Sequence, residues 1–316
     1  MKPPGRSEIG KFMALRKQGY DRCMHLAFTC KNDAIRAHSI QNGKVLDLLQ
    51  RDNHVIVPKP KFNIKDGPSF EFGLIGRNNA LTFTGLCSEH DAELFKLADT
   101  MPLDTSNTKQ LEQHAYRAIM KELHTCIEEA GRFMKLDADN VKAGITKPGK
   151  GGAAQMAVHF NVRSWRLFRY RNRNFDTPIS KGEAPAIEHR IITLEGQKPT
   201  VAVSSFFGLG AEQNGDTIGA MLTVIPEAGK TTAILSYATA QGEAIQKGIP
   251  NLFDDGADQK KALSNLILQR VENFTLAPEF YNGWPEDKKK EVTQYFNKSA
   301  MTGEAPPEDA EFSLFE

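Results

Sequence analysis

Apolar residues recur at intervals of three and four through residues 105–136, where Leu111, Ala115, Ala118, Ile119, Leu123, Cys126, Ile127 and Ala130 fall on one stripe. That period predicts a long amphipathic helix. It puts Cys126 on the buried side as an inert thiol and leaves the offset His124 partly exposed. The pattern stops at TKPGKGGAAQ, which reads as a loop or linker; it lacks the Gly-Lys-Ser/Thr ending of a phosphate-cradling loop, and no strand precedes it. Past residue 188 the period changes. HRIITL, TVAVSSFF, AMLTVIP and TTAILSY are short β-branched or aromatic runs separated by Gly, Pro and Asn, and they predict an antiparallel sheet. Two helices should follow, one in DQKKALSNLILQRVENF and one starting at Pro285, where the acidic pair Glu286 and Asp287 suits a helix N-terminus. Arg270, Glu272 and Asn273 close the first of these as candidate pocket-lining residues. The polar, proline-bearing end SAMTGEAPPEDAEFSLFE predicts a frayed tail.

Composition narrows the function classes. With 316 residues the chain is long enough for two domains. Its formal net charge of +1 excludes a strong global attraction to nucleic acid or anionic membrane, so such binding would need a local patch. The start, MKPPGRSEIGKFMALRKQGY, has no apolar core of a signal peptide, and no stretch reaches eighteen uncharged apolar residues. A soluble, cytoplasmic protein with no membrane partner is expected. In a reducing compartment the four cysteines read as thiols or metal ligands rather than disulfides.

Three of those cysteines lie in the first 90 residues, and their spacing suggests a metal site. Cys87 and His90 in GLCSEHDAELF sit at the start of a predicted helix, where the first turn can bring both to one ion. Cys23 and Cys30 in DRCMHLAFTCKNDAIRAHSIQ supply a second pair across a bulged loop. Four ligands of this kind suit zinc, and metal binding would help so polar a segment to fold. The competing reading makes the cysteines small core residues, since free cysteine is often buried. His25 and His54 are the alternative ligands.

This arrangement of two cysteines, a short strand ending in AIRAHSIQ, a long insertion and LTFTGLCSEHD leading into a helix resembles the treble-clef zinc domain of the His-Asn-His (HNH) endonucleases. It is also similar to uncharacterised bacterial proteins carrying like cysteine and HSIQ segments. The resemblance covers about residues 20–100. It implies that His38 is the general base of phosphodiester hydrolysis, that Asn79 or its neighbour Asn78 orients it, and that Asp91, with Glu93 nearby, holds Mg2+ or Mn2+. The chain departs from that pattern at Ala37, where the family carries a metal ligand. Taken alone, AIRAHSI alternates as a strand in which His38 shares a polar face with Arg36, and Asp91 is equally an acidic residue in the first turn of a helix.

The most basic stretch, HFNVRSWRLFRYRNRNFD, places Arg163, Arg166, Arg169 and Arg173 three or four residues apart with Trp165, Phe168 and Tyr170 between them. On a helix this makes a cationic stripe beside an aromatic one, suited to a nucleic-acid backbone or a partner helix, or else a core edge whose arginines pair with acids. The chain is therefore expected to be α+β, with a zinc-binding treble-clef domain over 1–100, a connecting helix over 101–145 and an antiparallel-sheet domain with flanking helices over 146–316. Two functions fit: an HNH-like nuclease acting on DNA or RNA, or a non-catalytic, zinc-stabilised module that binds nucleic acid or a protein partner.

Overall fold

The computed structural model describes residues 19–26, 29–63, 67–212, 215–302 and 311–316. The polar start over residues 1–18 and tail residues 303–310 lie outside the described residues. In chain order the strands are β1 (Ile35–His38), β2 (His54–Asn63), β3 (Gly67–Gly76), β4 (Thr82–Leu86), β5 (Ile187–Gln197), β6 (Val201–Ala211), β7 (Thr217–Glu227), β8 (Gly229–Ala238) and β9 (Phe274–Leu276). Apart from further helical turns of three to five residues, the helices are α1 (Ser88–Leu94), α2 (Lys96–Thr100), α3 (Thr108–Lys142), α4 (Gly152–Arg171), α5 (Gly242–Gly248), α6 (Gln259–Arg270), α7 (Pro278–Asn282) and α8 (Glu286–Thr302). Mixed helix and sheet of this kind fits the α+β class. No described helix is long and apolar enough to cross a membrane.

All four runs expected as strands beyond residue 188 are strands, and they pair antiparallel. The sheet they enter is larger than expected, with seven strands in the order β3-β2-β9-β6-β7-β8-β5. Its far side comes from the insertion between the two predicted ligand pairs. β2 and β3 form a hairpin paired from His54↔Gly76 to Asn63↔Gly67, and Ile56 of β2 pairs with Leu276 of β9. β9 in turn pairs with β6 through Val201, Ala202 and Val203. Strand pairing therefore crosses the boundary drawn at residue 100. The outer edge of β3 is capped by Asn297 of α8, whose side chain accepts from the Phe70 N–H and donates to the Phe70 carbonyl, at 2.6 and 2.9 Å. Such pairing blunts an otherwise open edge.

Alternation along the central strands explains the layers. Val201, Val203, Leu222, Val224, Ala233 and Leu235 face a core shared with Leu263 and Ile267 of α6 and with Val292 and Phe296 of α8. Their sequence neighbours Ala202, Met221, Ile225 and Ile234 are buried on the opposite side, in clusters that include α3 and the N-terminal segment. Because side chains alternate with period two, a strand buried on both faces reads as a continuous apolar run, as AMLTVIP and TTAILSY do.

The long helix begins at Asn107, whose side chain accepts from the Gln110 N–H at 3.2 Å. Cys126 is buried as expected, and burial pushes its thiol well above the usual range. His124 differs from the expectation. It is buried, its Nε2 lies 3.0 Å from the Tyr20 carbonyl, and the rings of Tyr20 and Phe83 meet it edge-on. The N-terminal segment covers that flank of α3, which a periodic pattern within the helix cannot reveal.

The chain end differs as well. Leu314 and Phe315 are 0% and 4% exposed within the α6–α8 core. The Thr200 hydroxyl donates to the Leu314 carbonyl at 2.6 Å, and the Leu314 N–H donates to Ser264 Oγ at 2.9 Å. Residues 311–316 are thus docked, not frayed. Leu314→Ala should lower unfolding free energy by about 2–4 kcal/mol, as for other buried leucine truncations. Urea denaturation measures it, and an unchanged midpoint would refute the docking.

Candidate metal centre and the adjoining cleft

Two chain segments build the cysteine cluster. The Cys23–Cys30 loop is closed at its base by an antiparallel bridge between Arg22 and Asp33, with the Cys23 N–H donating to the Asn32 carbonyl at 3.2 Å. Met24 N–H then donates to the Gly85 carbonyl at 2.8 Å, fastening the loop to β4. A Cβ at Gly85 would lie 2.3 Å from the Phe83 ring, so any side chain there would have to displace that ring. β4 pairs with β1 and ends at Leu86, and the next residue, Cys87, immediately precedes α1; the first turn closes with the Asp91 N–H donating to the Cys87 carbonyl at 2.9 Å. His90 lies in that turn.

The ligand atoms of Cys23, Cys30, Cys87 and His90 all lie within 4.8 Å of one another. His90 Nδ1 is 3.4 Å from Cys23 Sγ and 3.2 Å from Cys87 Sγ. Around a tetrahedral ion with metal–sulfur bonds of about 2.3 Å, ligand atoms stand roughly 3.5–3.8 Å apart, so this group can hold a metal ion such as zinc with little rearrangement. Burial pushes the Cys23 thiol up to about 11. At Cys87 burial also pushes upward, but the His90 backbone N–H and the Cys23 thiol hydrogen-bond its sulfur and hold it below the ordinary value. Neither alternative histidine joins the group. His25 stacks on the His90 ring, with centroids 3.6 Å apart, and exposed His54 sits 2.7 Å from the Asp52 carbonyl.

Beside the cluster, His38 and Asp91 line one cleft of about 360 Å3, together with Ile40, Asn42, Lys44, Asp99 and Arg117. His38 ends β1. Its Nε2 lies 3.1 Å from the Arg77 carbonyl, which can only accept, so Nε2 carries the proton and Nδ1 keeps its lone pair. Burial holds its pKa below the usual value, with Arg36 acting in the same direction, so the ring is neutral at pH 7. The Asp91 carboxyl is pushed up by burial; Arg117 opposes that and Asp99 adds to it. Leu81, next to β4, holds a left-handed backbone (φ 53°) while its carbonyl accepts the Ser39 N–H at 2.8 Å, and this strained turn fixes the end of β1 beside the cleft.

Asn79 does not take the place expected of it. Its side chain accepts from Arg36 Nη1 at 2.8 Å, Asn78 pairs with Asn42 at 2.9 Å, and the backbone carbonyl of Arg77 holds His38. Glu93 is exposed and does not line the cleft. Three charged lining residues escaped the sequence reading: Lys44, Asp99 and Arg117. The available signal was an arginine inside the apolar stretch HAYRAIM, since a buried guanidinium requires an anionic partner. That partner is Asp99, bound through both Arg117 Nη atoms, one at 2.6 Å. Nearby His114 is buried, and burial followed by the Arg117 charge pushes its pKa down to about 4, leaving it neutral.

The basic stretch forms α4, but its arginines do not form one free stripe. Arg163 pairs with Glu122 at 2.5 Å, and Arg171 is buried against Asp176 at 2.7 Å. Arg169 and Arg173 share Asp216, at 2.9 and 3.4 Å. Arg166, Arg169 and Arg173 do line a second cleft of about 310 Å3 with Trp165 and Phe168. Asn273 is a buried structural residue, donating to Ser39 Oγ at 3.1 Å.

No protein-family model matches the chain, and neither a curated protein nor a solved structure matches it. Its chemistry is therefore read from its own residues. Metal analysis of the purified chain should give about one zinc per chain. Cys87→Ser should lose that metal, whereas Cys126→Ser, outside the cluster, should keep it. Because loading displaces thiol protons, affinity should fall as pH falls. Full metal retention in Cys87→Ser would remove Cys87 from the site.

Proposed function

We propose that the chain is a metal-dependent phosphodiesterase of the His-Asn-His type, acting on DNA or RNA. Its Cys23, Cys30, Cys87 and His90 hold a structural zinc in a treble-clef finger formed by the Cys23–Cys30 loop, the β1–β4 pair and α1. The observation that carries this reading is the meeting of His38 and Asp91 in one cleft beside the cysteine cluster. His38 Nδ1 takes the proton of an attacking water, and the Arg77 carbonyl keeps the ring in the required tautomer. Asp91 offers one oxygen ligand. Asp99, the other carboxylate of the cleft, is committed to Arg117, and Ala37 supplies none. Asp91 would hold a hard divalent ion there, which would supply charge neutralisation at the scissile phosphate.

The test incubates zinc-loaded protein with single- and double-stranded DNA and with RNA, with magnesium or manganese and with chelator. His38→Ala should keep zinc and lower cleavage by about 10²–10⁴-fold, and Asp91→Asn should raise the divalent-ion concentration needed. Equal cleavage after His38→Ala would sink the assigned base. No cleavage of any substrate with either metal would sink the enzyme.

A non-catalytic nucleic-acid-binding module is the second reading, favoured by Trp165, which is 59% exposed and stacked on Phe168 at 5.7 Å beside Arg166. Stacking of a base on such a ring contributes about 1–3 kcal/mol. Trp165→Ala with Arg166→Gln should then weaken single-strand binding and flatten its salt dependence. Unchanged affinity in a filter or anisotropy assay would leave α4 a packing element.

A further inference from the structure

Residues lining the cleft that holds His38 carry polar atoms that the proposed hydrolysis does not use. Arg117 reaches it from α3, outside the finger, and is 2% exposed. Its Nη1 and Nη2 both donate to Asp99, and its guanidinium lies over the Phe95 ring, 4.1 Å from the centroid. The Nε–H, however, is buried with no acceptor among the described residues. Asn42, also lining the cleft, has a buried Oδ1 with no donor, although its Nδ2 donates to Asn78. Lys44 completes the polar wall; its ammonium donates to the Thr100 carbonyl at 3.1 Å, which engages one of three protons.

A purely structural arginine at this depth would be expected to have all its donors paired or wet, because an unmatched buried donor keeps its full desolvation cost. Guanidinium offers two recognition edges. Asp99 occupies the one formed by the two Nη groups, and the edge containing Nε remains, with a geometry that matches two oxygens of a phosphoryl group. The Asp99 pair and the Phe95 face hold that edge rigid, so little side-chain entropy is lost when an anion docks.

We propose that Arg117 is the phosphate-binding residue of this cleft: its Nε edge donates to a non-bridging phosphoryl oxygen, and the Lys44 ammonium donates to the same group. Applied to a phosphodiester, this rests on the nuclease reading, since it would seat the scissile phosphate within reach of His38. Applied to phosphate itself, it stands apart from catalysis.

The experiment titrates inorganic phosphate into the full, zinc-loaded chain without other divalent ions, following the arginine Nε–H resonances by 15N NMR and the affinity by calorimetry. The Arg117 signal is identified by its loss in Arg117→Lys. The expected result is a shift of that signal on adding phosphate but not on adding chloride. Arg117→Lys should weaken phosphate binding by at least about tenfold, the cost of one charge-assisted hydrogen bond. Lys44→Gln, at an exposed side chain whose fold is checked by circular dichroism, should weaken it by a few-fold and steepen no salt dependence. An unmoved Arg117 signal, or phosphate affinity unchanged in both variants, would overturn the proposal. Phosphate binding with no cleavage of any nucleic acid would keep this site and remove the nuclease; cleavage without phosphate binding at Arg117 would do the reverse.

Discussion

Everything in this molecule is arranged around a helix buried nearly all the way round. In α3, residues His114, Ala115, Tyr116, Arg117, Ala118, Ile119 and Met120 are consecutive and all buried. A two-layer protein would bury one stripe. Here the sheet, α2, α4 and the N-terminal segment together enclose the helix, so its polar side chains must find partners or carry an uncompensated desolvation cost. The partners come from several separate parts of the chain. Gln110 donates to the Leu97 and Pro102 carbonyls, Arg117 takes Asp99, Tyr116 donates to Asp176, Glu122 takes Arg163, and His124 meets the Tyr20 carbonyl. These contacts decide which segments lie against the helix and at what height.

The cleft follows from that constraint. α2 is fixed on α3 through Asp99 and Arg117, and the Lys44 contact to Thr100 ties the segment after β1 to the end of α2. α1 leads directly into α2, so Asp91 is positioned from both ends, by the cysteine cluster before it and by the Arg117 pair after it. Metal binding at Cys87 and His90 would therefore stiffen one wall of the cleft. A four-ligand ion would link the Cys23–Cys30 loop to α1 at the edge of the apolar cluster that buries Cys23, Met24, Leu86 and Cys87.

Local pattern was enough for elements whose burial is decided within a few residues. The α3 stripe, the four strands past residue 188 and the start of α8 after Pro285 each carry their own period or terminating residue. The four residues of the cluster that could hold a metal ion were also legible, because cysteine and histidine at the ends of a loop and at a helix start are few in this chain and restricted in what they can do together.

The sequence could not show which distant segments would meet. The hairpin His54–Gly76 is a sheet edge only because β9, three residues long and unread as a strand, bridges it to β6. Leu314 and Phe315 looked like a tail because the surface that buries them belongs to helices far from them in sequence. Arg117 looked like an interruption of an apolar stripe until Asp99 came to it, and Arg163, Arg166, Arg169 and Arg173 looked like one cationic face until Glu122 and Asp216 claimed three of them. Periodicity determines which face of an element is apolar. The partner that covers it, and the charge that neutralises a buried ion, depend on long-range packing that no local window contains.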